Sequence, residues 1–142
     1  MDAHFYNVDL SWSADRKGIL TSSELDQEIV VATPPQFPKG MPNIWSPEHL
    51  FTASVSSCFM TTFLSIAENS RLEFEAFSCF AKGKLEQIEG KFKMSEIILE
   101  AMLILKNMED KEKGERILNK SEAACLISNS INSKVTLISH IK

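Results

Sequence analysis

The three cysteines are the residues of this sequence best suited to redox chemistry. Cys58, Cys79 and Cys125 are an odd number at wide spacing and form no C-x-x-C motif, which is unlike the disulfide framework of a small secreted domain. Taken alone, a cysteine in a buried segment is most often a small apolar residue. Cys79 keeps this interpretation, because its immediate neighbours carry no charge that would activate a thiol. Cys58 and Cys125 lie in the two long segments with a helical pattern, so their thiols could meet in the folded chain.

Metal and nucleic-acid chemistry have little support in the sequence. His4, His49 and His140 are the only histidines and form no H-E-x-x-H motif or Cys/His cluster, so no metal site is expected. A net charge of −4 disfavours binding to phosphate backbones. The first residues alternate polar and apolar side chains and lack the basic and apolar regions of a signal peptide. We therefore expect a cytoplasmic protein that binds neither nucleic acid nor a metal.

The first third of the chain is predicted to form a meander of three strands that leads into a loop. Short alternating or β-branched runs separated by polar turns are typical of strands. Four prolines and a glycine lie between Pro34 and Pro42, and this composition favours neither a helix nor a central strand. The three predicted strands are His4–Trp12, Gly18–Ser23 and Gln27–Thr33.

The most informative segment is a helix predicted from Ser46 to about Asn69. Ser46 is a favourable N-cap residue, Pro47 fits the first helical position, and Glu48 lies near the positive end of the helix dipole. No Asp, Glu, Lys or Arg occurs between His49 and Ala67, which predicts a helix buried on nearly all sides. Seven Ser and Thr residues interrupt this apolar run and no second such run exists, so a membrane span is not expected.

The second half of the chain is predicted to contain a hairpin, a helix and a final strand. The hairpin turns at Glu89-Gly90, where glycine readily adopts a positive φ. The apolar stripe of the helix runs through Cys125 at helical spacing. The order βββ-α-ββ-α-β predicts one α+β domain over residues 1–142. The predicted elements are strands at Leu72–Leu85 and Phe92–Leu105, a helix from Glu109 to about Ser128, and a strand at Lys134–Ile141.

Specific motifs surround Cys58 and Cys125. Trp45–Phe59 contains Ser-Pro-Glu, a run of small residues and Ser-Cys-Phe, with the glutamate and the cysteine ten residues apart. Ala123–Ser130 contains Ala-Ala-Cys-Leu-Ile-Ser. These segments resemble the N-P-E-x-L…G/A-C-F and A-x-C-P-x-S patterns of the OsmC/Ohr family, and the order of elements is similar over nearly the whole chain. The resemblance implies antiparallel sheets around a buried central helix, in an entwined homodimer with two active sites at the interface.

The resemblance also implies a thiol peroxidase that needs no cofactor and acts in defence against oxidative stress. Cys58 would attack an organic hydroperoxide, Cys125 would resolve the product as a disulfide, and a dithiol, lipoyl-type in the family, would reduce that disulfide. Glu48 would hold an activating arginine, for which Arg16 in an early turn is the best counterpart and Lys17 an alternative. A straight helix separates Glu48 from Cys58 by about 15 Å along its axis. An arginine bridge, a bent helix or a site shared between subunits is therefore expected.

Two positions depart from the family pattern. Ser46 replaces asparagine, which is a near-equivalent exchange at an N-cap. Leu126 replaces the proline that follows the second cysteine. Because a proline inside a helix disrupts it, leucine is expected to lengthen or straighten the second helix and so to change the position of the Cys125 thiol.

Aromatic residues near Cys58 favour organic hydroperoxides over hydrogen peroxide, because they would bind an apolar tail. Core packing is the alternative for each of them. Two other functions remain open. A hydrophobic-ligand-binding protein of the same fold would need neither thiol, and a general disulfide oxidoreductase is disfavoured by the missing C-x-x-C motif. The candidate pocket residues are Phe51, Phe59 and Phe63.

Overall fold

The computed structural model describes every residue from Met1 to Lys142. The chain divides into two compact units, Met1–Leu50 and Phe51–Lys142. Each unit holds one three-stranded sheet, and the elements follow the predicted order βββ-α-ββ-α-β. A single domain over residues 1–142 stays a prediction. In chain order the elements are β1 (Asp9–Ala14), β2 (Lys17–Ser22), β3 (Leu25–Ala32), α1 (Pro47–Asn69), β4 (Phe74–Ile88), β5 (Lys91–Leu105), α2 (Lys111–Ala124) and β6 (Lys134–Ile141).

The first unit is an antiparallel meander followed by the proline-rich loop. Strand β1 begins at Asp9, later than predicted, and the loop returns to the sheet where the Ala32 N–H donates to the Trp45 carbonyl at 2.8 Å. Ser46 then caps α1 as predicted. Its hydroxyl accepts the His49 N–H at 3.1 Å, which satisfies one of the unpaired donors of the first helical turn.

Helix α1 is buried along one stripe. Met60 and Leu64 lie outside that stripe and are 39% and 41% exposed. The prediction of a helix buried on nearly all sides is therefore wrong for the single chain, because the four-residue spacing of the buried side chains covers only one helix face. The length and composition of α1 would also suit a membrane span, a property that core helices share. The fully buried residues are Val55, Phe59, Phe63 and Ala67.

The sheet of the second unit has the order β4-β5-β6. Strands β4 and β5 form the predicted hairpin, and Glu89 and Gly90 both have positive φ, as the turn requires. Strand β6 pairs with β5 in parallel, because α2 carries the chain back across the sheet before β6 begins. The sheet is therefore mixed, where the resemblance implied antiparallel pairing alone.

The core of the second unit joins α1 to the inner face of this sheet. Phe63 stacks on Phe77 with ring centroids 4.6 Å apart. Gly83 of β4 lets the helix approach closely, since a Cβ there would collide with the Thr52 hydroxyl and with Met94. Burial of such side chains contributes about 1.5–3 kcal/mol each. This packing fixes the position and rotation of α1, and with it the direction in which Cys58 points.

Candidate active site

The structure brings two of the predicted site residues together. Cys58 lies in the middle of α1 and is half-buried, whereas Cys125 directly follows α2 and is fully buried. Both are free thiols, and they lie close enough for each to shift the pKa of the other. Two neighbouring free thiols, one half-buried and one fully buried, are suited to the formation of an intramolecular disulfide.

Helix α2 ends one residue before Cys125, which corrects two predictions. Cys125 has φ −64° and ψ 115°, an extended conformation, so the helix does not continue to Ser128. Leucine at position 126 therefore does not lengthen the helix. A carbonyl in the last turn of α2 gains its hydrogen bond from a side chain instead, because the Asn129 side chain donates to the Ala123 carbonyl at 3.1 Å. A continuing helix would have used that carbonyl as an acceptor.

Several hydrogen-bond donors act on the pKa of Cys58. Burial by itself raises the pKa of this thiol, but the donors outweigh burial and hold the pKa below its usual value. One donor lies a helical turn further along α1, where Thr62 Oγ1 is 4.0 Å from the Cys58 sulfur. In decreasing order of effect, the donors are the Ile127 N–H, the Cys125 thiol, the Thr62 hydroxyl and the Leu126 N–H.

The environment of Cys125 has the opposite effect. Burial raises the pKa of its thiol and the neighbouring Cys58 raises it further, whereas the N–H and hydroxyl of Ser128 act in the other direction. The Ser128 hydroxyl is buried and has no partner in ordinary hydrogen-bond geometry, and it acts on the pKa of Cys125. Cys125 therefore ionises at a higher pH than Cys58. This asymmetry makes Cys58 the better nucleophile of the pair.

Cys79 lies apart from these donors, in β4. Its sulfur is 3.8 Å from the Phe80 carbonyl and packs against the core. Burial raises the pKa of Cys79, and the Glu100 N–H offsets only part of that rise. An environment of this kind makes a thiol less reactive, in line with its interpretation as a small apolar residue.

Arg16 and Glu48 belong to the first unit. Arg16 is exposed in the turn between β1 and β2, where its carbonyl accepts the Thr33 N–H at 3.3 Å. Glu48 lies half-buried in the first turn of α1, as predicted for a residue that follows the N-cap and proline. Their action on Cys58 stays a prediction.

The predicted pocket aromatics are mostly core residues. Phe59 and Phe63 are fully buried, and both rings contact Phe77 of β4, with centroids 5.8 Å and 4.6 Å away. Both are core residues of this chain, and their contact with a substrate stays a prediction. Phe51 is half-buried and packs against the same core, and its contact with substrate stays a prediction.

A groove of about 500 Å³ opens in the first unit. The His49 Nδ1 lies 2.7 Å from the Ser46 hydroxyl, and its ring meets Trp45 edge-on at 6.1 Å. The Ser46 oxygen also accepts the backbone N–H of His49, so Ser46 contacts both the backbone and the ring of that residue. The groove is lined by Pro35, Pro42, Asn43, Ile44, Trp45 and His49.

Sequence reasoning missed the groups that surround the two sulfurs. Thr62 is four residues after Cys58, a spacing that places two side chains on one helix face and would have identified it. Ser128 lies within the Cys125 motif, but the sequence indicates only that it belongs to the apolar stripe of the predicted helix and not that it acts on Cys125. The backbone N–H groups of Leu126 and Ile127 have no signature in the sequence, because every residue except proline carries one.

Comparisons with known proteins place this arrangement in context. The sequence profile of the OsmC-like protein family matches residues 40–139. The uncharacterized protein YmaD of Bacillus subtilis is 26% identical over 141 residues, which cover 96% of this chain and 91% of YmaD. An OsmC-like protein of unknown function from Vibrio cholerae superposes with a TM-score of 0.85 at 21% identity, over 99% of this chain and 100% of that one. An organic hydroperoxide resistance protein from Elizabethkingia anophelis superposes with a TM-score of 0.79 at 23% identity, over 98% and 99%.

Proposed function

Because this chain belongs to the OsmC-like protein family, we propose that it is a thiol peroxidase that reduces organic hydroperoxides through Cys58 and Cys125. The observation that carries the proposal is the neighbouring pair of free thiols, whose pKa values are shifted in opposite directions. A pair of structural cysteines would have no need of donors that lower the pKa of one member. A relative of the same fold is named an organic hydroperoxide resistance protein, which supports the choice of oxidant.

The reaction begins with the Cys58 thiolate. Its sulfur attacks the terminal oxygen of the hydroperoxide, the O–O bond breaks, and the alkoxide leaves and takes up a proton to become an alcohol. Cys58 is then a sulfenic acid. The Cys125 sulfur attacks the Cys58 sulfur, a disulfide forms, and the hydroxyl leaves with the Cys125 proton as water.

A small dithiol is the reductant that fits this site. Cys125 is fully buried and Cys58 is half-buried, so an external thiolate reaches the disulfide at Cys58. Attack there forms a mixed disulfide and releases Cys125, and the second thiol of the reductant then frees Cys58. A lipoyl-type dithiol is narrow enough for such access, whereas a folded protein substrate is not. A reducing cytoplasm would supply it and keep both thiols free.

A homodimer completes the proposal. The exposed face of α1 carries Met60 and Leu64 and no charge from His49 to Ala67, which is an unusual surface for a helix in water. A second copy would cover that face. Arg16 and Glu48 would join Cys58 in the complete site, with Arg16 stabilising the thiolate and Glu48 orienting the guanidinium.

Consumption of cumene hydroperoxide with dihydrolipoamide as reductant tests the proposal. The native protein should turn over repeatedly, and the Cys58→Ser variant should fall to the background rate. Cys79→Ser is the matched control, because it removes a cysteine that the reaction does not use. Equal rates for the native protein and Cys58→Ser would reject the peroxidase function.

A second candidate function is supported by the groove in the first unit. Its proline and tryptophan walls and the polar ring of His49 would suit an apolar ligand that carries one polar group. A ligand-binding protein would need neither thiol. A fatty acid that binds with the same affinity to the native protein and to Cys58→Ser, together with no hydroperoxide consumption by either, would favour this function.

A further inference from the structure

A small cavity lies between the end of α1 and one face of α2, within the second unit of the chain. Its volume is about 250 Å³, and half of the residues that line it are cations. Ile66 lies eight residues after Cys58, which places the cavity about 12 Å further along α1 than the thiol. The cavity is therefore separate from the thiol pair. It is lined by Ile66, Ser70, Lys113, Arg116, Ile117 and Lys120.

The sequence of α2 gathers these cations on one face. At about 100° per residue, Lys113, Arg116 and Lys120 lie within about 60° of one another around the helix axis. Glu115 and Glu122 lie on the opposite side of the helix. Arg116 is three residues from Lys113 and four from Lys120, spacings at which like charges on a helix repel each other. An anion in the cavity would offset this repulsion.

The chain itself supplies no partner for the three cations. None of them forms an ion pair or a side-chain hydrogen bond, and Glu112, one turn before Arg116, does not pair with it. Basic side chains can also serve a neighbouring helix by donating to its last carbonyls. In α1 those carbonyls already accept backbone N–H groups, as in the 2.9 Å bond from the Ser70 N–H to the Ile66 carbonyl. The cationic side of the cavity is therefore available to a ligand.

Packing of α2 on the sheet fixes the position of this cationic face. Gly114 is buried where α2 meets β5, and a Cβ there would come within 3.2 Å of the Leu103 side chain. Ile117 and Leu118 belong to the core of the second unit. Because the helix is held in this way, the cations need little rearrangement to bind a ligand, which lowers the cost of binding.

We propose that this cavity binds the phosphate group of a small organic molecule. A phosphate monoester carries about −1.5 to −2 charges at neutral pH, which three cations balance more fully than they balance a single carboxylate. The planar guanidinium of Arg116 suits two phosphate oxygens at once, and the Ser70 hydroxyl would donate to a third. Ile66 and Ile117 would contact the apolar part of the molecule. This site goes beyond the proposed peroxidase function and does not depend on it.

Titration of isotope-labelled protein with phenyl phosphate, at constant ionic strength and followed by NMR, tests the proposal. The amide signals of residues 66–70 and 113–120 should shift and reach saturation. Arg116→Ala should raise the Kd about tenfold, because it removes charged hydrogen bonds. Lys111→Ala is the matched control, since it removes the same charge from the opposite side of α2 and should bind like the native protein. Alanine favours helix, so both variants should keep the fold.

Two further ligands test the class of molecule. Inorganic phosphate should bind more weakly than phenyl phosphate because it has no apolar part, and benzoate should bind more weakly because it carries one charge. Shifts that do not saturate, or equal Kd values for Arg116→Ala and Lys111→Ala, would overturn the site. Benzoate that binds as tightly as phenyl phosphate would overturn the choice of phosphate. A lower Tm in Arg116→Ala, with no phenyl phosphate binding to the native protein, would assign the cations to the dipole of α1 instead.

Discussion

Cys58 and Cys125 are neighbours with pKa shifts in opposite directions, because the Cys125 thiol lowers the pKa of Cys58 while Cys58 raises the pKa of Cys125. The donors around Cys58 come from both sides of the site, from Thr62 on its own helix and from the turn after α2. The hydroxyl and N–H of Ser128 likewise lower the pKa of Cys125, although burial and Cys58 raise it overall. Two thiols that would be equivalent in water thereby become a nucleophile and a proton-bearing partner.

The order in which the cysteines react with iodoacetamide should follow these pKa shifts. As the pH rises, Cys58 becomes a thiolate below the pH at which an unperturbed thiol does so, whereas Cys79 and Cys125 require a higher pH. Alkylation of the native protein at neutral pH should therefore modify Cys58 first. Peptide mass spectrometry at increasing pH measures the order, and earlier modification of Cys125 would reverse the assigned roles.

Loss of Cys79 should leave turnover unchanged. Its thiol is partly buried against the core and lacks the donors found around Cys58, so a Cys79→Ser variant loses no reacting group. Steady-state hydroperoxide consumption provides the comparison. Abolished activity in a Cys79→Ser protein with native circular dichroism would show that the wrong pair of cysteines has been assigned.

Removal of the Ser128 hydroxyl should slow disulfide formation and leave the first oxidation step intact. That hydroxyl lowers the pKa of Cys125 and has no other partner, so Ser128→Ala makes the resolving thiol harder to ionise. The matched control is Ser130→Ala, which loses a hydroxyl bonded to the Leu126 carbonyl at 2.7 Å in the same turn. Stopped-flow measurement should show a slower second phase, by about tenfold, only in Ser128→Ala. An equal effect in both variants would mean that the turn is merely disturbed.

The exposed face of α1 should be covered in solution by a second copy of the chain. Sedimentation should give twice the chain mass of 16.0 kDa at micromolar concentration. Leu64→Glu places a charge on that face and should dissociate the dimer, whereas Met108→Glu places one on an exposed residue elsewhere and should not. A stable native monomer would contradict the prediction.

Local patterns predicted the fold well, and contacts between distant segments account for what they missed. The Ser46 cap, the Glu89-Gly90 turn and the strand Lys134–Ile141 are all confirmed, because each depends on residues close in sequence. The end of α2 was misplaced since helical spacing continues through Cys125, while the Asn129 side chain ends the helix.

The candidate site was predictable only in part for the same reason. Cys58 and Cys125 are recognisable from their motifs, but their proximity depends on how α1 and the turn after α2 meet in the fold. The N–H donors that act on Cys58 are backbone groups of Leu126 and Ile127, and the side chains of these residues give no sign of that role in the sequence. For Phe59 and Phe63, the apolar character of the side chains predicts burial. It does not predict that the residue they contact is Phe77.

The most direct measurement for the proposed reaction is mass spectrometry of reduced protein after one equivalent of cumene hydroperoxide, with dimedone present to trap sulfenic acid. The native protein should form a disulfide between Cys58 and Cys125, Cys125→Ser should carry a trapped sulfenic acid on Cys58, and Cys58→Ser should remain unmodified. Cys125→Ser still reduces one equivalent of peroxide because its nucleophile is intact. A sulfenic acid on Cys125 with Cys58 untouched, or no oxidation of either residue, would contradict the account.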